Sequence, residues 1–285
     1  MSLYNIIAST DEGTVVSEYS AEAGRSAAYQ TEAELEAEFI RLLTAQGYEY
    51  LTLHNEAGFI VNLRLQLERL NAFEFSDAEW KAFFSERIAN AQEGIVEKTR
   101  KVQDDHVQIL KRGNGSTKNI YLIDKKNIHN NSLQVINQCE EPGGAHGARY
   151  DVTILINGLP LVHVELKRRG VAIREAFNQI KRYQRESFWA ASGLFEYVQL
   201  FVISNGTHTK YYSNTTRNQH IKELGEGERR RSKKTSHSFE FTSYWADAGN
   251  KPITDLVDFT KTFFAKHTLL NVLTEVVPIV KTKKR

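Results

Sequence analysis

Two apolar runs joined by Asn157-Gly158 constrain this chain more than any other feature. They are Asp151–Ile156 and Leu159–Leu166. Asn-Gly adopts the positive backbone angles that a tight hairpin turn demands, so the two runs predict paired antiparallel strands. Side chains alternate faces along a strand, and Glu165 and Lys167 must therefore share one face while Leu166 points into the core. Whether Asp151 joins them depends on the turn. A two-residue turn sets Ile156 opposite Leu159, which puts Asp151 opposite Val164 on the wrong face. A three-residue turn, Ile156-Asn157-Gly158, sets Leu155 opposite Leu159. Asp151 then faces His163, with Glu165 as its diagonal neighbour. A one-residue slip thus decides the grouping. The sequence predicts the three-residue turn, or an equivalent bulge elsewhere in the hairpin.

Two carboxylates and a lysine on a strand whose other face is apolar (Val162, Val164 and Leu166) suit a magnesium site. Magnesium takes hard oxygen ligands, one or two carboxylates with waters and phosphate oxygens. Asp151 and Glu165 supply carboxylates and the backbone carbonyl of Leu166 a further oxygen. Such an ion polarises a phosphate and acidifies water. Lys167 is placed to orient that water and to offset charge developing in a transition state. A Glu-x-Lys string on its own is common, and a surface hairpin with a plain ion pair would look the same. The second acid and the apolar backing distinguish this one.

Around the hairpin the chain reads as one α/β domain with added helices. Thr31–Gln46 is a predicted helix with Thr31 as N-cap and Glu34 completing a capping box, and Gly47 stops it. Ala57–Leu70 and Asp77–Ala89 are predicted helices, the latter capped by Ser76. Asn119–Ile123 and Leu133–Asn137 are β-prone runs, followed by a glycine-rich loop over 142–147 that includes His146. Val171–Phe188 is a predicted helix and Val198–Ser204 a buried strand, with His208–Ser213 pairing to it across Asn205-Gly206. Glu223–Ser238, which contains the Arg229 to Lys234 basic run, reads as a mobile loop, and Asp255–Lys266 as a helix. Residues 1–30 read as a loosely ordered leader with room for a short strand.

Composition excludes several classes. The single cysteine, Cys139, rules out an internal disulfide and offers no zinc cluster, which fits a reducing, cytoplasmic setting. No run approaches the ~20 apolar residues of a membrane span. Net charge is only +2, so any binding of nucleic acid must use local clusters. Lys167, Arg168, Arg169, Arg174, Lys181, Arg182 and Arg185 form one such cluster, suited to phosphates. Gln179 and Tyr183, four residues apart, stack on one helix face.

The ordered set resembles a known family. Asp151 with Glu165-Leu166-Lys167 looks like the PD-(D/E)xK nuclease motif. Gln179-Ile180-Lys181-Arg182-Tyr183 is similar to the Gln-x-x-x-Tyr motif of its RecB-like branch. The stretches running from Tyr150 to Val162 and from Lys167 to Ile180 closely resemble the R (motor and nuclease) subunit of type I restriction enzymes, and the likeness runs from about Thr31 to the C-terminus. Tyr150 departs from the pattern, standing where the family has proline.

The resemblance implies a PD-(D/E)xK restriction-endonuclease-like α/β core over 31–266, a mixed central sheet flanked by helices with extra N-terminal helices, and a segment 267–285 leading toward a helicase-like motor. It implies Mg2+-dependent hydrolysis of phosphodiester bonds in double-stranded DNA, with Mn2+ able to substitute. Asp151, Glu165 and Lys167 would be catalytic, and Gln179, Tyr183, Arg168, Arg169, Lys181 and Arg182 would position DNA. Glu36 stands in for the helix acid that related nucleases place near the metal. His163 is expected to be a neighbour of the site rather than a ligand. Methyltransferase and specificity subunits are the implied partners. ATP would serve the full-length subunit only, since no Gly-x-x-x-x-Gly-Lys-Ser/Thr loop is present here. The alternatives are a non-catalytic DNA-binding or docking module and a free-standing RecB-like repair nuclease.

Overall fold

The computed structural model describes residues 4–9, 15–19, 30–53, 55–140, 149–186, 193–215 and 237–276. The leader holds two strands rather than one, β1 (Tyr4–Ser9) and β2 (Val15–Tyr19), paired antiparallel. Helix α1 (Glu32–Ala45) starts at the expected capping box: the Thr31 hydroxyl accepts from Glu34 N, and Thr31 N donates to the Glu34 carboxylate at 2.8 Å. Strand β3 (Glu49–Tyr50) follows, then α2 (Glu56–Asn71), capped by Asn55. The predicted helix Asp77–Ala89 divides. Helix α3 (Asp77–Phe83) is regular, and Phe84–Ile88 widens into a π turn.

Helix α4 (Ile95–Gln103) and strand β4 (Val107–Lys111) have no counterpart in the sequence reading. Helix α4 is rich in charge, so no apolar stripe announces it. Its lysines are nonetheless buried against specific acceptors. Lys98 Nζ donates to Gly193 O at 2.9 Å and pairs with Glu196, while Lys101 Nζ pairs with Glu93. Strand β4 pairs with β5 (Thr117–Tyr121) as a separate ribbon.

The central sheet contains β6 (Leu133–Glu140), β7 (Arg149–Ile156), β8 (Leu159–Leu166), β9 (Leu200–Ser204) and β10 (Thr209–Ser213). Its order is β10-β9-β8-β7-β6-β3. The β8–β9 and β3–β6 pairs are parallel and the others antiparallel. This is the expected mixed sheet, and β9 and β10 pair across Asn205-Gly206 as predicted. Every residue of β8 and β9 is buried, which is why these strands read as continuous apolar runs.

The crossover between β8 and β9 contains α5 (Ile173–Glu186). It packs Phe177 on Tyr212, which in turn stacks on Phe201. The predicted helix Asp255–Lys266 is two helices, α6 (Leu256–Phe263) and α7 (Lys266–Asn271). The break has a tertiary cause: Tyr48 Oη donates to Phe264 O at 2.7 Å, satisfying a carbonyl that a continuous helix would have used. Phe39 of α1 meets Phe264 edge-on, which ties α1 to this C-terminal layer. Short strands β11 (Trp245–Ala246) and β12 (Pro252–Ile253) pair antiparallel ahead of α6. Seven α-helices lie among the described residues, and none is long and apolar enough to cross a membrane.

The β7–β8 turn is buried and fully bonded. Asn157 (φ +50°) and Gly158 (φ +82°) are both left-handed, the pattern of a two-residue primed turn. Asn157 Oδ1 accepts from Ser132 N at 2.8 Å, and its Nδ2 donates to Leu122 O at 3.0 Å. A Cβ on Gly158 would lie 2.6 Å from Leu63 Cα in α2. Gly158→Ala is therefore expected to lower stability by about 2–4 kcal/mol through strain and overpacking, read as a lower urea midpoint at unchanged slope.

Candidate active site

The two-residue turn corrects the expected three-residue one, and the compensating bulge lies farther along β8. Ile156 faces Leu159 and Leu155 faces Pro160, but Ile154 then faces Val162. Leu161 is the extra residue. It follows Pro160, which has no N–H to give to a ladder, and its carbonyl accepts from Gln199 N at 2.9 Å on the β9 side. Beyond the bulge Thr153 faces His163 and Val152 faces Val164. The same count carries Asp151 to Glu165. His163 thus faces Thr153, not Asp151 as expected, and the two acids are direct rather than diagonal neighbours.

The backbone then draws the acids together. Asp151 Oδ2 accepts from Leu166 N at 2.8 Å, next to Glu165 in the chain, and the Glu165 charge acts on the Asp151 carboxyl. Lys167 lies on the Glu165 side, as the alternation predicts. Its Nζ is 3.2 Å from Glu165 Oε1, 3.0 Å from Leu166 O and 3.7 Å from Glu32 Oε1. Glu165 is fully buried and Lys167 nearly so. Glu165 Oε2 receives no hydrogen bond among the described residues and lies 3.5 Å from His163 Nε2.

The electrostatics follow from burial. Asp151 is pushed up to about 7, first by burial and then by the Glu165 charge, against the opposing pull of the Leu166 N–H and Lys167. Glu165 is also pushed up to about 7 by burial, opposed by Lys167. Two adjacent acids face one lysine and one imidazole, His163, and Glu165 Oε2 accepts no hydrogen bond among the described residues. A divalent cation fits that arrangement, and the all-oxygen donor set suits magnesium.

Other predicted residues are placed differently. Glu36 is buried, and amides cover both its oxygens: Asn137 Nδ2 at 2.5 Å on Oε1, and Gln138 Nε2 at 3.0 and 2.9 Å on Oε1 and Oε2. Gln138 has φ +52°, a left-handed kink in β6 between Asn137, which faces Val152, and Cys139, which faces Tyr150. Glu36 thus reaches the strand beside Asp151 through Gln138. Arg169 is engaged by the fold: its Nε donates to Gln30 Oε1 at 2.8 Å and its Nη1 to Thr207 Oγ1 at 3.1 Å, with Asp255 at 4.0 Å. Arg168 is exposed and Gln179 half-buried on α5. The side chains of Lys181, Arg182 and Tyr183 lie outside the described residues, as do His146 and the Arg229 to Lys234 run. Sequence reasoning missed Glu32 and Gln138. Glu32 reaches Lys167 only through tertiary packing, and Gln138 acquires its place from a backbone kink that no local pattern marks.

Residues 29–220 match the family described as type I restriction enzyme R protein N terminus. The chain is 50% identical over 268 residues to the type I restriction enzyme EcoprrI endonuclease subunit of Escherichia coli, covering 94% of this chain and 80% of that protein. It is 39% identical over 240 residues to the SsaAORF53P endonuclease subunit of Staphylococcus saprophyticus, covering 82% of this chain but 23% of that protein. Against the SauMSSORF170P endonuclease subunit of Staphylococcus aureus it is 37% identical over 243 residues, again 23% of the relative. It thus spans most of the E. coli relative and under a quarter of the staphylococcal ones. With the match taking in the bulged hairpin, α5 and most of the chain besides, this protein belongs to the family of type I restriction enzyme R protein N termini.

Proposed function

We propose that this chain is the nuclease portion of a type I restriction enzyme R subunit and hydrolyses phosphodiester bonds of double-stranded DNA with Mg2+, for which Mn2+ substitutes. The observation that carries the reading is the meeting of Asp151, Glu165 and Lys167 at the end of a bulged hairpin. Asp151 and Glu165 would hold the ion, with the Leu166 carbonyl as a further oxygen. When bound, the ion supplies Lewis-acid polarisation of the scissile phosphate.

The chain's own groups do the rest. The Leu166 N–H fixes the Asp151 carboxylate in place. Lys167, held by Glu165 Oε1 and Leu166 O, presents its ammonium at a defined point. From there it orients the attacking water toward phosphorus and offsets charge building on the phosphate oxygens. The oxygen of water forms the new bond to phosphorus as the bond from phosphorus to the leaving oxygen breaks; water gives up one proton to solvent, and the leaving oxygen takes one up from solvent. Arg168, Lys181 and Arg182 would hold flanking phosphates, and Gln179 and Tyr183 would position the strand.

The fuller assembly extends this reading. Cleavage is coupled to ATP-driven translocation by a helicase-like motor of the same subunit, a specificity subunit supplies recognition with a methyltransferase as its partner, and the enzyme works in the cytoplasm. The test is cutting of covalently closed plasmid by the assembled enzyme. Cutting that needs Mg2+ or Mn2+ and stops in chelator is expected; cutting undiminished in chelator would overturn the proposal.

A further inference from the structure

A second basic cluster lies away from the carboxylates, at the β10 edge of the sheet. Arg174, in the first turn of α5, places its guanidinium 4.4 Å from the centre of the Phe239 ring. Lys210 of β10 places its Nζ 5.1 Å from that ring and 4.7 Å from the Tyr244 ring. Lys210 Nζ also donates to Thr242 Oγ1 at 3.0 Å and to Thr242 O at 3.3 Å. Two cations therefore share one aromatic ring. Among the described residues neither is ion-paired with a carboxylate, and Glu240 in the same turn is not within ion-pair distance of either. Burial and then the Arg174 charge hold the Lys210 ammonium below its ordinary value, as expected of like charges left uncompensated.

The segment that brings Phe239 here also presents aromatic side chains to solvent. Phe241 is 57% exposed and Tyr244 37%. The segment is tied to the sheet and to α5. Phe239 packs edge-on against Phe177, and Ser243 exchanges backbone hydrogen bonds with Tyr211 at 2.9 Å in each direction. A fixed turn bearing two outward rings, set over a pair of unneutralised cations, matches the chemistry of an unpaired nucleic-acid strand: phosphates for the cations and bases for the rings.

We infer that Arg174, Lys210, Phe241 and Tyr244 form a platform that holds a single DNA strand with unpaired bases, Phe241 and Tyr244 stacking on bases and Arg174 and Lys210 facing phosphates. This deepens the proposed nuclease function and rests on it for the choice of nucleic acid. It assigns the chain a contact for unwound strand that the duplex-cutting chemistry does not require.

The experiment is fluorescence anisotropy of the full chain in chelator, with a labelled oligothymidine, a labelled duplex and unlabelled polyglutamate as competitor. Phe241→Ala and Tyr244→Ala replace exposed side chains, and an unchanged melting temperature confirms their folding. Each is expected to weaken oligothymidine binding about tenfold while leaving duplex binding within twofold. Arg174→Gln with Lys210→Met should flatten the salt dependence of oligothymidine binding. Unchanged oligothymidine affinity in the aromatic variants would overturn the inference. So would equal losses on both DNAs, or polyglutamate competing as well as oligothymidine, which would mark an acidic partner. The nuclease reading is separable, because Asp151→Asn would stop cutting without altering oligothymidine binding. A wild-type enzyme that fails to cut but shows the aromatic effect would sink the nuclease reading alone.

Discussion

Asp151→Asn, Glu165→Gln and Lys167→Ala are each expected to reduce DNA cleavage by the assembled enzyme at least about a hundredfold, with the fold intact. The size follows from what each group does. Removing one preorganised charge-stabilising donor costs roughly 10²–10³ in rate, and the proposed role makes Lys167 such a donor. Under the proposed function, loss of either acid would remove half of the carboxylate set for the ion, and such an ion contributes several kcal/mol of transition-state stabilisation. The three losses should not multiply, since residues acting as one unit are strongly non-additive. A double variant is expected to be scarcely worse than either single one. Plasmid cleavage, alongside circular dichroism of each variant, reads the result. Cutting within tenfold of wild type by any of the three would contradict the assigned site.

The same acids make the metal-free chain sensitive to pH in an unusual direction. Both carboxyls titrate near 7 in the folded protein, against ordinary values of 3.8 and 4.5. Between about pH 4 and 7 the folded state therefore binds more protons than the unfolded state. By linkage the contribution of these groups to stability is highest below about pH 4, falls as pH rises, and has reached its full cost above 7. A tenfold change in proton affinity corresponds to about 1.4 kcal/mol, so the pair costs on the order of a few kcal/mol at pH 8. Asp151→Asn, whose amide oxygen can still accept from the Leu166 N–H, removes one acid and the mutual repulsion. In chelator it should melt roughly 5–10 °C above wild type at pH 8 and little differently at pH 5. An Asp151→Asn protein that melts no higher than wild type at pH 8 would show that the carboxylates are not crowded.

The hairpin shows how far sequence reasoning reaches. Strand identity, the Asn157-Gly158 turn and the need for one extra residue all follow from alternation and from the demand that Asp151 join Glu165. The position of that residue does not. Pro160 is the available clue, since a proline without an N–H is a natural neighbour for a bulge, but the turn offers a simpler place for the slip. Helix α4 is hard to read because its buried face mixes Ile95 and Val102 with Lys98 and Lys101, and the Lys98 partners, Gly193 and Glu196, lie about a hundred residues away. A buried Lys98 looks like a solvated one until its partners are known. The division of the last helix likewise depends on Tyr48, an aromatic far off in sequence. Glu36 stands out in the sequence as a helix acid, yet its amide partners Asn137 and Gln138 are set by a β6 kink that no propensity encodes. Arg169 belongs by composition to a phosphate-binding patch, but Gln30, Thr207 and Asp255 engage it in the fold.

The central claim is that one slipped residue, Leu161, brings Asp151 over Glu165 so that both bind a single ion. Calorimetric titration of Mn2+ at pH 7, in buffers of different ionisation heat, tests it most directly. The expected result is one binding event that releases protons, because cation binding displaces them from carboxyls that titrate near that pH, and its loss in both Asp151→Asn and Glu165→Gln. Manganese binding that survives in either variant, or that releases no protons in wild type, would contradict the account.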